Sequence, residues 1–355
     1  MALPRRFEVG LTADGFGADG NSIFGDLALE RLDAAGIAWR ILPEMVDRVT
    51  PEAIRGLDAV LAFAHLKADR ALALASPQLG LIARFGAGYD GIDLDGLARE
   101  GVAVTNTPIA VRRPMAMVAI TYILALAHQL MPNHRAVVLG DWTAARGSHR
   151  GLGLSGRVLG VIGYGGIGQD VANLGKGLGL SVVASEPSAS ACRRAEANGV
   201  PVLPLSQLAA QADFVVVCAS LTDETRHLID GPFIDKMKAS AFLINIARGE
   251  VVDSTALRQA VMSRRIAGAG LDVFDPEPPA PGEPLLTSDQ VLWSPHCLAW
   301  TDDFTEAVSA SVIGAIVDAA NGRRPAHVLN PSVFETGWRL ESRMSSQSSE
   351  LPTVG

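Results

Sequence analysis

Short apolar runs, many of them β-branched, alternate along the chain with longer stretches whose apolar positions recur at helical spacing. Residues 60–63, 81–85 and 102–105 predict strands, each near a loop containing Gly or Asp. This first series closes at Asn106-Thr107-Pro108. A long helix is predicted to begin near Pro114, a residue suited to a first helical turn. A second series opens at 157–162 and continues with strands predicted over 181–184, 214–217, 242–245 and 291–293. Helical patterns separate most of these, and a last helix is predicted over 301–321. Continuous apolar strands alternating with helices imply α/β architecture, with parallel sheets covered on both faces.

The chain has 355 residues, enough for two domains, and 48% of them are hydrophobic, so a large core is available. The formal charge of −8 argues against nucleic acid as a partner, because phosphate binding needs a basic footprint. Cys192, Cys218 and Cys297 are odd in number and lack metal-ligand spacing. They suggest neither a disulfide framework nor a zinc site, and fit a reducing cytoplasm. The N-terminal residues lack the apolar core of a signal peptide. The apolar stretch 115–128 contains Thr121 and Tyr122. It falls short of the ~20 residues of a membrane span, so a buried helix at a domain or subunit junction is expected. The serine-rich end, taken as residues 336–355, is expected to be a disordered tail.

One turn suggests a ligand. Gly163-Tyr164-Gly165-Gly166-Ile167-Gly168 fits the G-x-G-x-x-G pattern between a predicted strand and a predicted helix. The first glycine permits the tight turn, and the second lets backbone approach a pyrophosphate at the helix N-terminus. Glu186 closes the next predicted strand, about 20 residues on, where an acid bonds adenosine ribose hydroxyls. A carboxylate there also repels a 2′-phosphate, so NADH is expected in preference to NADPH.

From about Leu79 to Pro331 the chain resembles the D-isomer-specific 2-hydroxyacid dehydrogenases. Residues 84–93, RFGAGYDGID, are similar to the family's substrate loop. Asn106-Thr107-Pro108 and the apolar helix resemble its hinge. Residues 243–253, LINIARGEVVD, resemble the arginine motif, and 270–278, GLDVFDPEP, the glutamate motif. Ser294-Pro295-His296 resembles the histidine motif. The resemblance implies two Rossmann-like domains with the active site in the cleft between them. The substrate domain is expected to comprise residues 1–105 and 299–335, and the NAD-binding domain residues 106–298. A homodimer joined through the cofactor domain is also implied. The chain departs from the family at Gly166, where an Arg is frequent, at Ser220, where a Pro is usual, and at Met117, where a Glu is common.

Reduction of a 2-keto acid needs a carboxylate held, a carbonyl polarised and a proton delivered as hydride reaches carbon. Arg248 can meet the first two demands through its planar fork. His296 is the candidate general acid, since an imidazole's ordinary pKa of ~6.5 lies near operating pH. Glu277 is expected to bond the other ring nitrogen and favour the imidazolium. The resemblance places Asp272, Ile246 and Ala247 on the nicotinamide side, and Ala219 beside Ser220 on the cofactor wall. It assigns Ala87 and Gly88 amides to the substrate carboxylate, with Arg84 either adding charge there or serving a structural ion pair. Arg112 and Arg113 stand at a helix N-terminus, whose dipole disfavours cations. A nearby acid or full solvation is expected to compensate, ahead of an anion in the cleft. Cys297, next to His296, is expected to be a packed residue rather than a reactive thiol.

The leading expectation is therefore an NAD-dependent 2-keto acid reductase, with no metal, no nucleic acid and no membrane partner. The alternatives are an NAD-sensing corepressor of related fold and a formate dehydrogenase. The second is disfavoured because the resemblance implies a glutamine beside its histidine, where this chain has Glu277.

Overall fold

The computed structural model describes residues 5–43, 49–63, 66–148 and 150–341. The chain forms two compact units, Met1–Val111 with Trp300–Gly355, and Arg112–Ala299. Both contain parallel sheets, so the chain has the α/β architecture its pattern predicts.

In the first unit β1 (Glu8–Leu11), β2 (Ala38–Ile41), β3 (Ala59–Ala62), β4 (Leu81–Arg84) and β5 (Ala103–Thr105) lie in the order β2-β1-β3-β4-β5. The register runs Val9↔Ala59, Ala59↔Leu81 and Leu81↔Ala103. Strands β3 to β5 are buried along their whole length, which is why they read as unbroken apolar runs. The edge strand β2, Ala-Trp-Arg-Ile, is half open to solvent and gave no such signal. The Asp302–Ala320 helix packs on β4. Behind it the chain inserts Asn330 into the end of the sheet. Its Oδ1 accepts from Val104 N at 2.9 Å and its Nδ2 donates to Val102 O at 2.9 Å.

The start of the expected tail is corrected here. Residues 336–341 pack on the first unit instead of trailing into solvent. Trp338 is 3% exposed and donates its indole N–H to Gly80 O at 2.8 Å. Leu340 is buried against Gly80, and the Arg339 guanidinium donates to the carbonyls of Ala73, Ser76 and Leu79. Two large apolar side chains outweigh the polar composition of their neighbours. Residues 342–355 lie outside the described residues.

In the second unit β6 (Val158–Ile162), β7 (Ser181–Ser185), β8 (Phe214–Val217), β9 (Phe242–Asn245), β10 (Gly268–Leu271) and β11 (Val291–Trp293) take the order β11-β10-β9-β8-β6-β7. The order reverses at β6, flanked by β7 and β8, and such a switch point opens a crevice at the strand ends. Strand β10 reads Gly-Ala-Gly-Leu and was not predicted. Its glycines are required by close neighbours: a Cβ on Gly270 would lie 2.7 Å from the Tyr122 ring.

Tyr122 belongs to the Arg112–Ala127 helix, which is largely buried and packs on β9, β10 and the Gly166–Gly177 helix. Among the described residues no single helix is long and apolar enough to cross a membrane. The Arg112–Ala127 and Leu130–Val138 helices reach that length only together, across a 57° bend.

Candidate active site

The glycine turn leaves the end of β6 at the switch point. Gly163 has φ +89°, and a Cβ on it would lie 2.8 Å from Ala219 N. Ala219 thus forms one wall of the turn. Gly168 packs so closely that a Cβ would meet Gly163 O at 2.1 Å. Gly165, by contrast, is exposed with open space above it, and Gly166 and Ile167 are half-buried at the start of the Gly166–Gly177 helix. That twelve-residue helix aims its first N–H groups out of the turn.

Glu186 follows the end of β7 and folds back on the turn. Its Oε2 accepts from Tyr164 N at 2.7 Å and its Oε1 from Ser188 N at 2.8 Å. A carboxylate has about four acceptor sites, so capacity remains for ribose hydroxyls. An open glycine at a helix N-terminus, with an oriented acid one strand away, fits a dinucleotide.

Arg112 is held by an acid. Its Nη2 lies 2.8 Å from Asp170 Oδ1 and its Nε donates to Oδ2 at 3.2 Å. The same side chain lies over Gly166, where a Cβ would come within 2.8 Å of Arg112 Cδ. A side chain at 166 and this arginine compete for one space. Arg113 is exposed.

Arg248 ends a loop leaving β9. Asn245, 1% exposed, clasps that loop: its Nδ2 donates to Arg248 O at 2.8 Å and its Oδ1 accepts from Ala247 N at 3.1 Å. Ile246 is buried, Ala247 half-buried, and the half-buried Arg248 side chain donates to Ala247 O at 2.7 Å. The next residue, Gly249, is pressed on the glutamate segment, since a Cβ there would lie 1.8 Å from Phe274 O. Backbone contact therefore joins the arginine and glutamate motifs.

Glu277 Oε1 lies 2.6 Å from His296 Nδ1, and Phe274 N donates to its Oε2 at 3.4 Å. Both side chains stay partly open, at 25% and 32% exposure. His296 itself has φ +53°, a left-handed conformation that a non-glycine residue adopts only when its surroundings enforce it. Asp272 supplies part of that enforcement. It is 1% exposed, accepts from Ser294 Oγ, and accepts from Leu298 N at 3.4 Å, so it grips the chain on both sides of the histidine. These contacts are to the histidine segment. Burial pushes its carboxyl above the usual range, against the hydrogen bond from Ser294. Tyr122 extends the network through its hydroxyl, which meets Ser294 Oγ and donates to Leu271 O at 3.0 Å.

Burial, and then the charge of Asp272, raises the Cys297 thiol, and burial pushes Cys218 up to about 12. Neither is primed as a thiolate. Among the described residues no cluster of His, Cys, Asp and Glu could hold a metal ion.

The remaining candidates lie in the first unit, where Arg84 ends β4 and Ala87 and Gly88 stand on the loop after it. Thr107 grips Gly86 by accepting from its N–H at 3.0 Å through Oγ1 and donating its own N–H to its carbonyl at 3.0 Å. Asn106 Nδ2 donates to Ala87 O at 2.8 Å. Arg84 is 7% exposed and donates to Gly88 O at 3.1 Å and Ala62 O at 3.2 Å. These contacts brace the loop from below, while Ala87 and Gly88 remain half-open. The roles of Asn106, Asn245, Ser294 and Tyr122 escaped the sequence reading. Asn106 and Asn245 fell within the quoted motifs, but nothing in their spacing reports a clasp.

Comparison with known proteins identifies the family. Residues 120–297 match the family model described as D-isomer specific 2-hydroxyacid dehydrogenase, NAD binding domain. A glyoxylate reductase from Thermococcus onnurineus is 34% identical over 305 residues, covering 83% of this chain and 90% of that protein. The TT0316 protein from Thermus thermophilus superimposes with a TM-score of 0.79 at 28% identity, covering 91% of this chain and 100% of that one. An NADPH-dependent glyoxylate/hydroxypyruvate reductase from Sinorhizobium meliloti, solved with NADP and malonate, gives a TM-score of 0.78 at 26% identity, over 92% and 98% of the two chains. The chain belongs to the D-isomer specific 2-hydroxyacid dehydrogenases, an NAD-binding family of oxidoreductases.

Proposed function

We propose that the protein reduces a 2-keto acid to the D-2-hydroxy acid with NADH, and that His296 is its general acid. The observation that carries this reading is the 2.6 Å contact between His296 Nδ1 and Glu277 Oε1. With Nδ1 on Glu277, proton transfer to the substrate oxygen is assigned to Nε2, and Glu277 fixes the orientation of the ring. Arg248 holds the substrate carboxylate and polarises the carbonyl, and the half-open amides of Ala87 and Gly88 add hydrogen bonds to the carboxylate. NADH, when bound, supplies the hydride. Gly163, Gly165, Gly166, Ile167 and Gly168 hold its pyrophosphate, Glu186 its ribose, and Ala219, Ile246 and Ala247 its flanks.

Glu277→Gln tests the pairing. An amide can turn its N–H toward Nδ1 and hold the ring in the wrong tautomer, so reduction is expected to slow while NADH still binds. A reduction rate unchanged in the variant, with chemistry limiting the rate, argues against Glu277 as the partner.

Cofactor choice rests on Glu186. Its carboxylate is proposed to bond ribose hydroxyls and repel a 2′-phosphate, giving preference for NADH. Glu186→Ser is expected to weaken NADH and improve NADPH in relative terms. The ratio of kcat/KM for the two cofactors, measured in both proteins, decides it. A ratio that does not fall removes Glu186 as the discriminating acid.

A homodimer is proposed through the second unit. Its Leu130–Val138 helix, the turn after it and the start of the Trp142–Ser148 helix expose Leu130, Val138, Leu139 and Trp142 at 57–74%. Apolar exposure on that scale supports a protein contact. A cytoplasmic setting fits three free cysteines.

A further inference from the structure

The first unit carries a concentration of aromatic side chains at one edge of its sheet. Phe63 directly follows the C-terminal end of β3, Phe85 that of β4, and Phe16 lies beyond the end of β1. Ligands of open parallel sheets gather outside the carboxyl ends of the strands. Phe24 joins these rings: its centroid lies 5.4 Å from Phe63, 4.8 Å from Phe85 and 4.4 Å from Trp300. Phe16 meets Phe63 edge-on at 5.6 Å. Thr305 fixes the segment by donating its hydroxyl to Phe24 O at 2.6 Å.

The cluster is graded from inside to outside. Phe63 and Phe85 are 3% and 5% exposed and belong to the core. Phe16 and Phe24 are half-buried, and Trp300 and Ile23 stand 38% and 46% exposed. Phe85, on which Phe24 packs, lies one residue before the loop whose Ala87 and Gly88 amides are assigned to the substrate carboxylate. The 4.8 Å between the Phe24 and Phe85 rings sets Phe24 beside the chain entering that loop, where a bound substrate's 2-substituent would meet the rings. Glyoxylate, with hydrogen at that position, leaves them unused.

We infer that Phe24 and Trp300 form the specificity wall of the enzyme, and that its substrate is a 2-keto acid with an aromatic or large branched apolar side chain. The inference rests on the reductase reading above. Ring edges and faces of such a substrate match offset and edge-on packing against Phe24 and Trp300. A hydroxymethyl or phosphorylated side chain finds no comparable match on this surface.

The test is a steady-state panel with NADH and phenylpyruvate, 4-methyl-2-oxopentanoate, glyoxylate and hydroxypyruvate. Phenylpyruvate is expected to exceed glyoxylate in kcat/KM by roughly tenfold or more, the discrimination available to an apolar pocket. Trp300→Ala, a change at a partly exposed site, is expected to lower the phenylpyruvate-to-glyoxylate ratio by roughly tenfold, and Trp300→Phe to restore most of it. Using a ratio within one protein removes any general loss of folded enzyme. Preference for glyoxylate or hydroxypyruvate over phenylpyruvate, or a ratio unmoved by Trp300→Ala, overturns the aromatic assignment and leaves the reductase reading standing. Failure of every keto acid, in protein that still binds NADH by fluorescence, overturns both.

Discussion

Arg248→Lys is expected to lose roughly a hundredfold or more in kcat/KM, about 3 kcal/mol of transition-state stabilisation, while NADH still binds. The loop that presents Arg248 is fixed by backbone and by Asn245, with bonds of 2.8 and 3.1 Å to Arg248 O and Ala247 N. The substitution therefore leaves the loop in place and changes only the head group. A guanidinium offers two parallel donors to a carboxylate, and an ammonium offers a point charge that cannot span both oxygens. Kinetics with a keto acid that the unaltered enzyme reduces, beside NADH titration by fluorescence, separate the two effects. Near-normal turnover would remove Arg248 from the mechanism.

The second large effect concerns the fold. Trp338→Ala is expected to destabilise the first unit by about 3–5 kcal/mol, the usual range for deleting a large buried aromatic side chain. Trp338 is 3% exposed, packs edge-on against Phe334 at 5.6 Å, and is the indole donor to Gly80 O. Removing it opens a cavity and strips a carbonyl of that partner. Denaturant unfolding followed by intrinsic fluorescence and circular dichroism reads the change. A loss below about 1 kcal/mol, the level of an ordinary surface substitution, contradicts the packed account of residues 336–341.

The same tryptophan shows where sequence reading stopped. Buried strands such as β8, Phe-Val-Val-Val, announce themselves because both faces are covered and every position is apolar. The glycine turn, Arg248, Glu277 and His296 were legible because each lies in a motif whose spacing carries chemistry. Strand β10 was not legible, since contacts distant in sequence dictate its glycines, Tyr122 at Gly270 and Gln290 at Gly268. Trp338 and Leu340 were hidden by averaging over polar neighbours, although two large apolar residues suffice to dock a short segment. Asp272 was legible as a site residue, whereas its contacts to Ser294 and Leu298 arise from tertiary closure that no local pattern reports. The acid beside Arg112 was expected in kind, and only the structure identifies it as Asp170.

The first unit is assembled from both ends of the chain, and this has a consequence for synthesis. Asn330 completes the hydrogen bonding at Val102 and Val104, and Trp338 covers Gly80, so early strands wait for late residues. The Arg112–Ala299 unit is continuous and can finish on the ribosome while the N-terminal strands still lack their final partners. Although domains commonly mature from the N-terminus onward, here the later-starting unit is the first able to complete. Nascent chains released before residue 330 leave β5 without its closing side chain, an exposed apolar edge for chaperones to shield.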